Sequence, residues 1–365
     1  MIHTRLTDLF GIRLPVLGGG MMWLSDAHYV AALARAGALG FITPRSYESL
    51  DTLHEALRTC RHASEGHPFG LNITQSRRSE ENRMIPAWID MALEEGVRSF
   101  ETVGPASRAL FERMQNGGGR VIHKCAFIAH ALKAQDEGAD AVALVGGEAG
   151  GHPGTNELPT FVLGALALES QRLHIPLAIG GGIGSGRQIA AALALGADAV
   201  VMGTRLLVCE EIWAHEDYKR HLLAQPAEAS ILALTRTGNP WRVLDNATVQ
   251  RTRELEAQGA TSYPEFGALA TGRLGRDNAY LRGDWNTGLL SMGPAIGFAH
   301  HIEPVQAVLR RLMAETSMRV ADVHARELPL STSIPHEPQP LDLQRRPDTA
   351  RHPVAGTGRP RRRRL

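Results

Sequence analysis

The sequence predicts an α/β fold: a (β/α)8 (TIM) barrel with a small helical lobe inserted after the eighth strand and a disordered C-terminal tail. Three observations predict it. Eight short apolar runs recur at spacings of about 20 to 35 residues, each followed by a helix-like segment or a loop leading to one. Alternation of this kind implies a parallel sheet, and eight units favour closure into a barrel. The string Gly138-Ala139-Asp140-Ala141-Val142 returns as Gly196-Ala197-Asp198-Ala199-Val200, so two units end a helix in glycine and reopen as a strand in the same way. Glycine turns follow the last two strands, where barrels commonly seat a phosphate. An open doubly wound sheet would need a G-x-G-x-x-G turn after its first strand, and Gly18-Gly19-Gly20 lacks that spacing.

Taken in order, Pro15-Val16-Leu17 opens the barrel and stops at three glycines. Asp26 caps a helix that buries Val30, Leu33 and Ala34 and ends at Gly37. Residues 39–42 form the second strand and 50–60 a helix. The third strand, 69–73, carries Asn72 near its end. A helix over 85–95 leads to the fourth strand at 99–103, and one over 107–115 to the fifth at 121–124, which ends on Lys124. A helix at 129–137 precedes the sixth strand, 141–144, and a helix at 161–171 the seventh, 177–179. Ser185 and Gln188 make a capping-box pair at the next helix, whose Ile189, Ala192 and Leu193 share a face, before the strand from Ala199. These residues, 1–209, make the barrel.

From Glu210 the rhythm fails. Residues 210–290 interleave aromatic and charged side chains with helical stretches such as 247–257, as expected of a substrate lobe or lid over the barrel mouth. A C-terminal helix over 291–323, amphipathic from Pro294 to Glu315, is expected to return to the barrel. Prolines and arginines without an apolar period dominate 324–365, which reads as disordered.

Hydrophobic content of 43% and charged content of 21% are those of a globular protein. No apolar run reaches the eighteen or so residues of a membrane helix, and the N-terminus lacks a signal-peptide pattern. The three cysteines are scattered and lack metal-ligand spacing, which argues for a reducing cytoplasm and no metal site. Residues 345–365 carry eight arginines and one aspartate, so with a net charge of +1 the rest of the chain sums to about −6. That body offers no nucleic-acid surface.

Chemistry is expected at the carboxyl ends of the strands. Gly180-Gly181-Gly182 and Gly203-Thr204 can point bare amides at a dianion. His152 sits among glycines in Gly146-Gly147-Glu148-Ala149-Gly150-Gly151-His152-Pro153-Gly154, away from any core, where an imidazole can accept a proton from a carbon acid. Lys124 could hold negative charge and Asn72 could hydrogen-bond an amide edge on the same rim.

His123-Lys124-Cys125, Glu148-Ala149-Gly150-Gly151-His152-x-Gly154, Gly180-Gly181-Gly182-Ile183 and Met202-Gly203-Thr204-Arg205 resemble the nitronate monooxygenase (2-nitropropane dioxygenase) family over roughly residues 5–315. The resemblance implies an FMN-dependent oxidoreductase. Its phosphate would rest on Gly180, Gly181, Gly182, Gly203 and Thr204. The isoalloxazine would lie against the Gly19-Gly20-Met21 turn, with Asn72 and Lys124 at its polar edge and Gly151 among the contacting positions. His152 matches the catalytic base, Lys124 would stabilise the anionic reduced flavin, and O2 would convert the nitronate to a carbonyl compound and nitrite. Gly18, Pro153 and Pro294 stand where family members commonly have glutamine, arginine and glutamine, and these positions are expected to border the substrate.

Gly19-Gly20-Met21-Met22-Trp23-Leu24-Ser25-Asp26 is also similar to the flavin enoyl-acyl-carrier-protein reductases, which implies NAD(P)H-dependent reduction of an enoyl thioester as the alternative. A flavin-binding protein without turnover is the non-enzyme alternative. The partners implied are a small-molecule substrate and O2. A homo-oligomer is left open.

Overall fold

The computed structural model describes residues 2–76 and 78–326. Helix α1 (Arg5–Phe10) precedes eight parallel strands: β1 (Val16–Gly18), β2 (Leu39–Ile42), β3 (Gly70–Thr74), β4 (Ser99–Val103), β5 (Arg120–Cys125), β6 (Ala141–Val145), β7 (Leu177–Gly180) and β8 (Ala199–Met202). They hydrogen-bond in chain order and close into a barrel, with Leu17 of β1 registered against Val201 of β8. Between them run α2 (Ala27–Ala36), α3 (Leu50–Ala63), α4 (Ile85–Glu94), α5 (Arg108–Asn116), α6 (Ile128–Asp136), α7 (Thr160–Glu169) and α8 (Gly186–Leu195).

The helix termini behave as their residues require. Asp26 accepts from the Tyr29 amide, Ser185 and Gln188 form a reciprocal capping box, and Gly37 and Gly196 end their helices in the left-handed region. The repeated Gly-Ala-Asp-Ala-Val string has a structural reason. The Asp140 carboxylate accepts from the Val121 amide and the Asp198 carboxylate from the Leu177 amide, at 2.8 and 2.9 Å, so each aspartate secures the start of the preceding strand.

Two layers of apolar side chains are buried. One lies between strands and helices. The other fills the barrel interior with Leu17, Leu39, Phe41, Ile122, Ala141, Ala143, Ala178, Ala199 and Val201, and takes in Leu6, Phe10 and Ile12 from α1 and the turn after it. Helix α1, which the sequence reading did not anticipate, therefore closes the amino-terminal end of the barrel.

Between β8 and the last helix lie α9 (Glu216–Leu223), strands β9 (Ser230–Ala233) and β10 (Trp241–Leu244), α10 (Ala247–Ala257), α11 (Tyr263–Phe266) and α12 (Gly272–Gly275). The lobe is thus mixed: β9 and β10 pair antiparallel, Trp241 opposite Ala233, over a small core including Val243, Val249, Phe266 and Leu289. The C-terminal helix also differs from expectation. Residues Pro294–Phe298 form one 3-10 turn, and α13 (Val305–His324) begins only after Pro304, whose ring cannot sit inside a helix. Helix α13 then packs on α8 and α2, where an eighth barrel helix belongs. The tail expected to be disordered falls, from residue 327 onward, outside the described residues. Among the described residues no helix is long and apolar enough to cross a membrane.

Candidate active site

Strand alternation decides which side chains enter the barrel. In β5, Ile122 belongs to the interior layer, so Lys124 projects inward one layer nearer the mouth; Asn72 of β3 and Glu101 of β4 join it there. Glu101 is 2% exposed and is the hub of this layer. Its Oε1 accepts from Lys124 Nζ at 2.8 Å. Its Oε2 accepts from Asn72 Nδ2, and the Gly20 amide approaches it at 3.4 Å. Thr74 donates to Asn72 Oδ1 at 2.8 Å, which fixes the orientation of the amide.

The Gly19–Met21 turn lies directly on this layer. A Cβ at Gly20 would stand 2.9 Å from Asn72 Cβ, and one at Gly19 3.2 Å from Val201 Cγ1, so the turn can lie this close on the layer only because it lacks side chains there. The structure thus brings Gly19, Gly20, Met21, Asn72 and Lys124 together. The residue that joins them, Glu101, was not singled out by sequence.

The loops after β6, β7 and β8 form the other half. Gly181 and Gly182 have φ of 116° and 69°. Among the described residues no loop bond takes the amides of Gly182, Gly203 or Thr204, while the pairing of Gly180 with Val201 directs the Gly181 amide to the β8 ladder. Free amides on the turns after two neighbouring strands are the donor set from which a cradle for one anion can be built. Crowding behind the cradle fixes its shape. The Thr160 hydroxyl lies 2.9 Å from the carbonyls of Gly180 and Gly181 and from Glu148 Oε2, so it ties the β7 loop to the β6 loop. Thr204 Oγ1 accepts from the Gly293 amide at 2.8 Å. Arg205, 2% exposed, pairs with Glu303 at 3.3 Å and Glu303 with Arg311, which anchors the β8 loop to the start of α13.

His152 stands at the end of the β6 loop, its imidazole covered on one side by the lobe and open to solvent on the other. Strand β10 pairs with Gly151 through two backbone bonds of 2.6 and 3.0 Å to Arg242, whose Nε also donates to the Gly147 carbonyl at 2.8 Å. The imidazole packs against Trp241 at a centroid distance of 4.7 Å, and its Nδ1 is 3.1 Å from the Pro240 carbonyl oxygen. A carbonyl only accepts, so Nδ1 carries the proton and Nε2 presents its lone pair. Desolvation by the surrounding loop and lobe holds the His152 pKa below the ordinary imidazole value, with the Pro240 and Asn239 carbonyls opposing it. Trp241, Arg242 and Gly293 contribute to the site from distant parts of the chain, and no local motif marks them.

Two of the three positions at which the chain departs from common family residues can be placed by their neighbours. A Cβ at Gly18 would stand 2.4 Å from Leu33 Cδ1, so that position faces helix α2 behind the barrel. Pro294 packs beside Gly182, at the cradle. Among the described residues no cluster of three His, Cys, Asp or Glu side chains could hold a metal ion.

A family model described as nitronate monooxygenase matches residues 3–315. A (3aS,4S,5R,7aS)-5-hydroxy-7a-methyl-1-oxo-octahydro-1H-indene-4-carboxyl-CoA dehydrogenase of Mycobacterium tuberculosis is 34% identical, covering 68% of each chain. A nitronate monooxygenase of Pseudomonas aeruginosa is 28% identical over 85% of this chain and 98% of its own. Among solved structures, FabK from Thermotoga maritima superimposes with a TM-score of 0.80 at 30% identity, over 89% of this chain and 99% of that one. The nitroalkane oxidase of Streptomyces ansochromogenes does so with a TM-score of 0.71 at 26% identity, over 88% and 100%. With nearly the whole described chain matched, this protein belongs to the nitronate monooxygenase family of flavin-dependent oxidoreductases.

Proposed function

We propose that the chain binds FMN and oxidises alkyl nitronates, and the nitroalkanes from which they derive, with O2 to a carbonyl compound and nitrite. The observation that carries the reading is the hydrogen bond from His152 Nδ1 to the Pro240 carbonyl. It leaves Nε2 as a free base at the mouth, on an imidazole whose lowered pKa keeps it neutral at physiological pH.

The residues present fit the cofactor. The free amides of Gly182, Gly203 and Thr204, beside Gly180 and Gly181, suit a terminal phosphate, and the Gly19–Met21 turn suits the face of a planar ring. Asn72 and Lys124 offer donors to the acceptor edge of that ring. When bound, the flavin supplies the electron acceptance that no side chain can. The chain's own work is acid–base and positional. His152 takes the α-proton of a neutral nitroalkane on Nε2, and the resulting imidazolium keeps its Nδ1–H on Pro240, an arrangement that holds the ring still through the transfer. The positive charge of Lys124 favours a nearby ligand that gains electrons.

A second reading is favoured by the 34% identity to a CoA-thioester dehydrogenase: the same base and cradle would serve a carbon acid activated by a thioester. The two are separated under anaerobic conditions. Purified protein that carries FMN, is bleached rapidly by a nitronate and yields nitrite in air supports nitronate oxidation. Bleaching by NAD(P)H, or by a saturated acyl-CoA, with no response to nitronates replaces it with thioester chemistry. Bound flavin inert to all three marks a binding protein without turnover.

A further inference from the structure

We propose that Glu101 is a positioning residue of the flavin site, one that aims Asn72 and Lys124 at the ring and sets how much positive charge the ring experiences. The inference rests on the flavin reading above and concerns a residue outside the assigned base and cradle.

The geometry points to it in three ways. First, Glu101 is a carboxylate buried to 2% exposure inside the barrel, an unfavourable location unless its partners compensate it. Every partner it has belongs to the proposed ring site: Lys124 Nζ on Oε1, Asn72 Nδ2 on Oε2, and the Gly20 amide at 3.4 Å. Second, each donor spends one N–H on Glu101 and has no other acceptor among the described residues. Asn72 and Lys124 therefore keep further N–H groups to offer a ligand, in directions that Glu101 fixes. Thr74 on Asn72 Oδ1 prevents the amide from turning over. Third, the pair of Glu101 and Lys124 is neutral as a unit. A ring lying on the Gly19–Gly20 turn meets an ammonium already paired with a carboxylate, so its reduction is favoured less than by a lone lysine.

The test is the midpoint potential of the bound flavin, read by equilibration with a reference dye, together with FMN affinity for the cofactor-stripped protein. Glu101→Gln removes the negative charge and keeps the shape. At a fixed poise it should raise the reduced-to-oxidised ratio at least tenfold, about 30 mV for a two-electron couple. It should also weaken FMN binding at least threefold, because an amide on that side chain cannot satisfy both neighbouring donors. Glu101→Asp, which keeps the charge, should leave the potential near wild type while weakening FMN binding. An unchanged potential in Glu101→Gln, or equal shifts in both variants, overturns the proposal.

Should Glu101→Gln not fold, Glu101→Gln/Lys124→Met, which buries no net charge, replaces it. Its potential should lie near wild type and above that of Lys124→Met alone; a fall equal to that of Lys124→Met overturns the proposal. Wild-type protein that retains no flavin after reconstitution rejects the flavin reading and this inference with it. Flavin retention with unmoved potentials rejects this inference alone.

Discussion

The ring nitrogen Nδ1 of His152 and the carbonyl oxygen of Pro240 lie 3.1 Å apart, across 88 residues of sequence. The histidine of the loop after the sixth barrel strand thus has its tautomer set by the lobe. His152→Ala should retain flavin and lose roughly 10²–10⁴-fold in kcat/KM on neutral nitroalkanes. Preformed nitronates, which need no base, should lose far less. The sign of the pH effect follows from the lowered pKa. The neutral base persists below the ordinary imidazole value of about 6.5. The rate on neutral nitroalkanes should therefore fall on acidification at a lower pH than an ordinary imidazole would impose, in a stopped-flow profile of flavin bleaching. Equal losses of His152→Ala on both substrate forms would remove the base assignment.

Arg242 reaches the same loop by a second route, donating to the Gly147 carbonyl at 2.8 Å and the Ser230 carbonyl at 3.2 Å. Arg242→Leu keeps the backbone pairing to Gly151 but frees the start of the loop. A displacement of about 1 Å at a positioned base costs on the order of 10²-fold. The variant should bind flavin normally and show a large fall in kcat/KM on neutral nitroalkanes, with a smaller one on nitronates. A change in flavin affinity with unchanged kinetics would place Arg242 in the cofactor site instead.

The two glycine turns of the cradle differ in what they tolerate. A Cβ at Gly181 would meet Thr160 Oγ1 at 2.5 Å, and its φ of 116° disfavours any side chain. Gly181→Ala should therefore destabilise the fold as well as the site. At Gly203 an added Cβ meets nothing within 4 Å. Gly203→Val should leave thermal stability close to that of cofactor-free wild type while excluding the phosphate, so that the purified protein is colourless. A yellow, fully loaded Gly203→Val protein would sink the cradle.

The barrel was legible because its signals are local. Asp26, Ser185, Gly37 and Gly196 punctuate helices by their own chemistry, and each strand is a short apolar run beside such a mark. The paired strands of the lobe were not legible. Ser230–Ala233 and Trp241–Leu244 are four residues each, and their pairing depends on a seven-residue connection and on packing against Gly151 and Ser291. Glu101 escaped for a different reason. Within Ser99-Phe100-Glu101-Thr102-Val103 it reads as the polar half of a strand alternation, which usually faces solvent. In a closed barrel both faces of the strand are covered, so the same alternation sends the carboxylate inside. Its register beside Asn72 in the parallel ladder becomes visible only when β3 and β4 are paired.

His123 shows what the outer face of the same strands does. It precedes Lys124, so its side chain points the opposite way, into the layer under α5, where its Nδ1 is 2.9 Å from the Thr102 hydroxyl and its ring lies 5.7 Å from that of Phe111. Burial lowers its pKa to about 4. A depressed histidine pKa means that the unfolded chain binds the proton more readily. The contribution of neutral His123 is therefore complete above about pH 6.5 and is lost as pH falls from there towards 4. Between pH 7 and pH 5 the linkage amounts to about 2 kcal/mol. His123→Gln keeps a partner for Thr102 without the titration. Urea unfolding at the two pH values should show wild type losing about 2 kcal/mol more than the variant on acidification. Equal losses would mean that His123 takes up its proton in the folded chain as easily as in the unfolded one.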